Sequence, residues 1–236
     1  MIFNSKIIKR LSDAAYWSDR EVRSDLIAGY IANENDYTSN FTGTLRRKIN
    51  AMALPGLNAT SYVLKPKIER KLGADACIIF ANETKFKVCI FEAKWPRLSM
   101  YTNYWDSIQK STGYSHFDEQ VERQKKYSSY FAIWEMFYFE HRFGKQPVNL
   151  ANQVSGCVWH KDVLAFRNGK RKAKWTDVEL LQLLGKHNTS ISNIVRDVCS
   201  CKVGIPIKGQ NYLKVLEEYG SISEVLVIKK VEAKDA

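Results

Sequence analysis

No stretch of this 236-residue chain is apolar for long enough to cross a membrane, and its first residues lack the pattern of a secretory signal. Internal repeats and low-complexity tracts are absent too, which excludes a repeat array and a compositional linker. Cysteine is scarce. Five residues stand at 77, 89, 157, 199 and 201, an odd and scattered set that excludes a disulfide framework and points to reduced thiols and a cytoplasmic setting. Cys199-Ser200-Cys201 is a C-x-C without a second pair, so packing is expected there rather than zinc. Acidic residues are also short: 25 Asp and Glu against 36 Lys and Arg leave a net charge of +11. That excess implies a polyanionic partner, most simply nucleic acid.

What is present is a globular composition, 45% hydrophobic and 12% aromatic, in a chain long enough for a large core. The division expected is a core over residues 1–150, with 151–236 supplying strands and helices that either complete it or form a small lobe. The central feature is Gly73-Ala74-Asp75 through Phe91-Glu92-Ala93-Lys94. Two apolar runs of strand length, 77–80 and 86–91, flank the polar turn 81–85, so the segment reads as a β-hairpin. A turn centred between Glu83 and Thr84 sets Asp75 directly opposite Glu92, with Cβ atoms roughly 5 Å apart. Lys94, two residues on, shares their face. Both faces of the hairpin are almost wholly apolar, as expected for central strands covered by helices on both sides. Two carboxylates opposed at the end of such a hairpin repel and lose hydration. A divalent cation between them relieves that repulsion, and carboxylate oxygens are what Mg²⁺ selects.

The motif G-A-D, a turn, then F-E-A-K resembles the PD-(D/E)XK nuclease superfamily over roughly residues 17–140. Asp75, Glu92 and Lys94 match its three motif positions, and Ala74 stands where the motif has Pro. The resemblance implies an α/β fold, a mixed central sheet flanked by helices on both faces. It also implies a Mg²⁺-dependent nuclease, with Mn²⁺ as substitute, cutting phosphodiester bonds in DNA. Asp75, Glu92 and the carbonyl of Ala93 would hold the metal, and Lys94 would orient water or neutralise the phosphate. A nucleic-acid-binding or protein-interaction module without turnover, or an RNA-directed nuclease, stays open beside it, as does a homodimer.

The remaining site candidates come from their neighbourhoods. Ser18-Asp19-Arg20-Glu21 reads as a capping box opening a helix with Val22, Leu26, Tyr30 and Ile31 inward. Glu21 is then either its capping residue or, by the resemblance, a first-helix carboxylate approaching the metal; Asp25 and then Glu34 follow as lesser candidates. A helical piece is expected over 45–52 and a first strand over 61–68. Lys65, Lys67 and Lys71 could hold phosphates there or form a solvated edge. Residues 98–115 read as a loop whose Tyr101, Tyr104 and Trp105 either stack on unpaired bases or pack beneath it. A helix over 116–128 carries Gln120 and Gln124, one turn apart; the resemblance implies that a Gln of this helix faces the site, and a solvated face is the alternative. Residues 130–139 read as a strand beside the hairpin, with a buried helix as the alternative that their length allows, and Glu135 among them needs a partner if buried. His160 is expected as a satisfied core histidine. Arg171 and Lys172, after the Asn168-Gly169 turn, are the nucleic-acid candidates away from the hairpin. Thr176-Asp177-Val178-Glu179 is a second capping box, and a last strand is expected over 224–230.

Overall fold

The structure, a computed structural model, describes residues 1–63, 74–145, 147, 154–219 and 224–231. Its centre is a mixed seven-stranded sheet. The strands are β1 (Leu57–Val63), β2 (Ala76–Ala81), β3 (Lys85–Lys94), β4 (Ala132–Phe137), β5 (Gly156–Trp159), β6 (Ile207–Lys208) and β7 (Glu224–Lys230). Their order is β1-β7-β2-β3-β4-β5, with β6 pairing the start of β3. β7 runs parallel to β2 and antiparallel to β1, and β4 runs parallel to β3. The last described strand is therefore an inner strand of the sheet, and Ile191, Val198 and Leu226 share one hydrophobic cluster with Phe91.

The hairpin has the register read from its sequence: Ile79 faces Val88, and Ala76 faces Phe91. Its two faces enter two different cores. Ala76, Ile78, Phe80, Cys89, Phe91 and Ala93 pack beneath α1 (Ser5–Ile27), α2 (Glu34–Ala51) and α6 (Ile191–Cys199). Cys77, Ile79, Val88 and Ile90 pack on the opposite face with Leu216 of α7 (Tyr212–Tyr219). Further along that face, Phe137 and Val158 pack under α3 (His116–Lys125), α4 (His160–Phe166) and α5 (Asp177–His187). Helices thus cover both faces of a mixed sheet, and among the described residues no helix is long and apolar enough to cross a membrane. Within β3 a buried lysine breaks the apolar pattern. Lys87 donates to the carbonyls of Val198 and Val203, where the C-terminal end of α6 favours positive charge.

Several boundaries differ from those expected. The Ser18 capping box does not start a helix. α1 begins at Ser5 with Asn4 as its cap, and the Ser18 hydroxyl donates to the Ala14 carbonyl one turn back, at 2.7 Å. Asp19 is buried instead, accepting from the Tyr37 hydroxyl and from the N–H and hydroxyl of Ser155. α2 starts at Glu34, eleven positions before the expected piece, because Asn33 accepts from the Asp36 N–H and caps it. β1 starts at Leu57 rather than 61. It begins beside Gly56, at φ +70°, where a Cβ would lie 1.9 Å from the Val231 carbonyl oxygen; only glycine lets the end of β7 pass so close.

Candidate active site at the open end of the hairpin

Asp75 sits immediately before β2. Its N–H donates to the Phe91 carbonyl at 2.9 Å, and its Oδ2 accepts from the Ala93 N–H at 2.7 Å. A carboxylate thereby replaces a backbone carbonyl as the next hydrogen-bond partner of β3. Glu92 is 1% exposed and Lys94 7% exposed. Lys94 Nζ donates to Glu92 Oε1 at 2.5 Å and lies 3.7 Å from Glu34 Oε2, brought in by the first turn of α2. Gln120 Nε2 on α3 donates to the same Glu92 Oε1. The other oxygen, Glu92 Oε2, is buried without a hydrogen-bond partner. Beside Glu92 in the parallel register stands Glu135 of β4, fully buried. Its Oε1 lies 3.2 Å from His160 Nδ1, and its Oε2 has no partner. The partner that a buried Glu135 needs is thus His160, the first residue of α4.

The electrostatics follow from burying several carboxylates around one ammonium. Burial pushes Asp75 up to about 6; Lys94 and the Ala93 N–H pull it down, while Glu34 and Glu135 push it further up. Glu92 is held well above the usual carboxylate range by burial and then by Asp75, with Lys94 opposing. For Lys94 burial alone would lower the pKa, but Glu92, Glu34 and Asp75 together hold it above its ordinary value. The cluster is short of positive charge, and it holds a buried carboxylate oxygen with nothing to accept from. Both features fit a divalent cation. Among the described residues no three His, Cys, Asp or Glu side chains already form a metal-binding group. A hard cation here would draw on Asp75 and Glu92 and take its remaining ligands from water or phosphate, as Mg²⁺ commonly does.

The other sequence candidates lie in several places. Gln120 joins Asp75, Glu92 and Lys94. Glu21 does not: it is exposed on α1 and ion-paired at 2.6 Å with Lys48 of α2. The acidic helix residue that reaches Lys94 is Glu34, whose Oε1 also accepts from the Trp95 N–H at 2.9 Å. Lys65, Lys67 and Lys71 lie outside the described residues. Arg171 and Lys172 each face a carboxylate, Glu119 and Glu179, and each lies against an aromatic ring, Tyr114 and Trp175. Their loop docks on the start of α3, where the Ser115 N–H donates to the Lys172 carbonyl.

Two neighbours escaped sequence reasoning. His116 opens α3 close to Lys94 and Gln120, and burial followed by Lys94 lowers its pKa. Its i, i+4 spacing from Gln120 was the available signal. Tyr138, just beyond β4, is buried with its hydroxyl unpartnered, and burial followed by the nearby charges of Glu34 and Asp75 raises its pKa.

Next to Glu34 opens a cleft of about 470 Å³, whose lining includes Asn33, Glu34, Asn35, Trp95, Arg97 and Tyr104. No family model, curated protein or solved structure matches this chain.

Proposed function

We propose that the chain is a Mg²⁺-dependent nuclease of the PD-(D/E)XK kind, hydrolysing phosphodiester bonds, most readily in DNA, with Mn²⁺ able to substitute. The observation that carries this reading is the buried, unpartnered Glu92 Oε2 beside Asp75 and Lys94. Asp75 and Glu92 would hold the cation, with the Ala93 carbonyl as a third contact, while the Ala93 N–H donates to Asp75 Oδ2 and fixes that carboxylate. The bound ion supplies Lewis-acid polarisation of a phosphoryl oxygen and lowers the pKa of water. The chain's own groups do the positioning. Gln120 fixes the Glu92 carboxylate through Oε1, leaving Oε2 for the cation. Lys94 stays protonated among three carboxylates, so its ammonium can hold water or a phosphate oxygen and stabilise the charge that develops there. The net charge of +11 supports a nucleic-acid partner. The five free thiols support a cytoplasmic setting.

The test is a cleavage panel of circular, linear and single-stranded DNA and of RNA, in Mg²⁺, Mn²⁺ or chelator. The wild type should cut in either metal and not in chelator. Glu92→Gln, which keeps an acceptor for Lys94, should lose at least a hundredfold in rate. A wild type that binds nucleic acid without cutting any member of the panel would leave an interaction module and end the catalytic reading.

A further inference from the structure

The cleft beside Glu34 is walled by aromatic and planar groups. The Arg97 guanidinium lies over the Trp95 indole at 4.2 Å from its centroid. Tyr104, 64% exposed, stands at the rim against Tyr101, ring centroids 4.8 Å apart. Asn33 and Asn35 also line it; both polar atoms of the Asn33 amide are engaged with Asp36, and Asn35 is exposed.

These walls are held in place. Glu140 accepts from the Trp95 indole N–H and from the Ser99 N–H, each at 2.8 Å. Asn103 and Asp177 exchange two hydrogen bonds at 2.7 and 2.8 Å. The pinned segment includes two non-glycine residues in the left-handed region, Arg97 at φ +53° and Asn103 at φ +54°. Such strain persists only where the surroundings over-determine it, and it recurs at ligand clamps.

Size and chemistry narrow the occupant. A volume of about 470 Å³ suits a small planar molecule and lies inside the ~300–1,000 Å³ of ligand pockets. It does not admit a duplex, whose major groove alone is about 12 Å wide. Aromatic and guanidinium faces stack on any base, amides can pair with a base edge, and Arg97 can meet a phosphate. Glu34 lines this cleft and also lies 3.7 Å from Lys94, so an occupant would stand next to the carboxylate cluster.

We propose that this cleft seats one unpaired nucleobase of the strand being cut, its ring stacked against Tyr104 and the Arg97–Trp95 pair and its edge read by Asn35. That the strand is cut rests on the nuclease reading of the neighbouring site; the base pocket does not. The substrate class that follows is single-stranded or locally unpaired nucleic acid, with the base set to one side of the scissile phosphate.

The experiment measures binding in chelator, so that no turnover enters, with fluorescein-labelled oligothymidylate, its oligouridylate counterpart, an abasic deoxyribose-phosphate oligomer and a duplex of equal length. Tyr104→Ala should weaken binding of the base-bearing single strands about tenfold, in line with the loss of one base–aromatic stack. It should leave the abasic oligomer and the duplex within twofold, and Tyr104→Phe should keep wild-type affinity. A loss on the thymidylate or the uridylate alone supports the pocket and names its source as DNA or RNA. No binding of single strands by the wild type, no loss in Tyr104→Ala, or an equal loss on the abasic oligomer overturns it. Cleavage in Mg²⁺ is scored separately. Tyr104-dependent binding without cleavage would retire the nuclease and keep the pocket, and cleavage with Tyr104-independent binding would do the reverse.

Discussion

Asp75, with a pKa near 6 in the folded chain, keeps a proton that the unfolded chain has released between about pH 4 and pH 6. The sign follows: in metal-free protein this group favours folding as pH falls through that window and opposes it at pH 7. Asp75→Asn, which retains an oxygen for the Ala93 N–H, should therefore stabilise the metal-free protein at pH 7 by about 1–3 kcal/mol and flatten its stability between pH 4 and 6. Urea melts across that range check it; a destabilised Asn variant would mean that the carboxylate's attraction to the Lys94 charge outweighs its burial. His160→Leu has the opposite sign. It removes the partner of Glu135 Oε1 and should cost about 1–3 kcal/mol in the same melts. At this scale Asp75, Glu92 and Lys94 were legible because a period-two register fixes which side chains meet. Glu34 and Glu135 were less so: their approach depends on how α2 and β4 pack against the hairpin, and no local pattern encodes that.

Two segments with the same S/T-x-x-E signature have different fates. Thr176 caps α5, its hydroxyl accepting from the Glu179 N–H while Glu179 accepts from the Thr176 N–H. Ser18 lies inside α1, because Ile7, Ile8, Leu11, Ala14 and Ala15 already carry a helical stripe up to it with no breaker between. A capping box marks a start only where the preceding chain cannot be helical, and Asn168-Gly169 supplies that condition for Thr176 alone. Thr176→Ala should lower stability by about 1 kcal/mol in a thermal melt, and Ser18→Ala should cost less, since helix propensity favours Ala inside a helix. The pinned aromatic segment is testable at this scale as well. Glu140→Ala removes the acceptor of Trp95 and Ser99, so amide exchange at Ser99 should quicken at least tenfold while β3 and β4 stay protected.

Over the whole molecule, the span of β7 was readable from its apolar run, but its place between β1 and β2 was not. Four of its residues are buried, and pairing with both neighbours joins residues about 150 to 170 positions apart, a contact that local periodicity does not report. Charge behaves similarly. The excess of +11 was plain in the composition, yet Arg171 and Lys172 each meet a carboxylate, whereas Lys170 and Lys174 in the same loop stand exposed. If that loop meets phosphates, Lys170→Glu with Lys174→Glu should reduce the salt slope of DNA affinity by about 2, close to 0.9 per lost phosphate contact. Arg171→Ala with Lys172→Ala should change it by less. Equal slopes for all three proteins would move the phosphate track to another face.

The nuclease proposal requires that Asp75 and Glu92 share one divalent cation. Titration calorimetry with Mn²⁺ on the wild type, Asp75→Asn and Glu92→Gln tests it most directly, with thermal melts in chelator showing that each variant is folded. One Mn²⁺ site is expected in the wild type, accompanied by a rise in melting temperature, and its loss in both variants although neither is less stable without metal. A wild type that takes up no Mn²⁺, or variants that bind it as tightly as the wild type, would mean that the two carboxylates hold no cation between them.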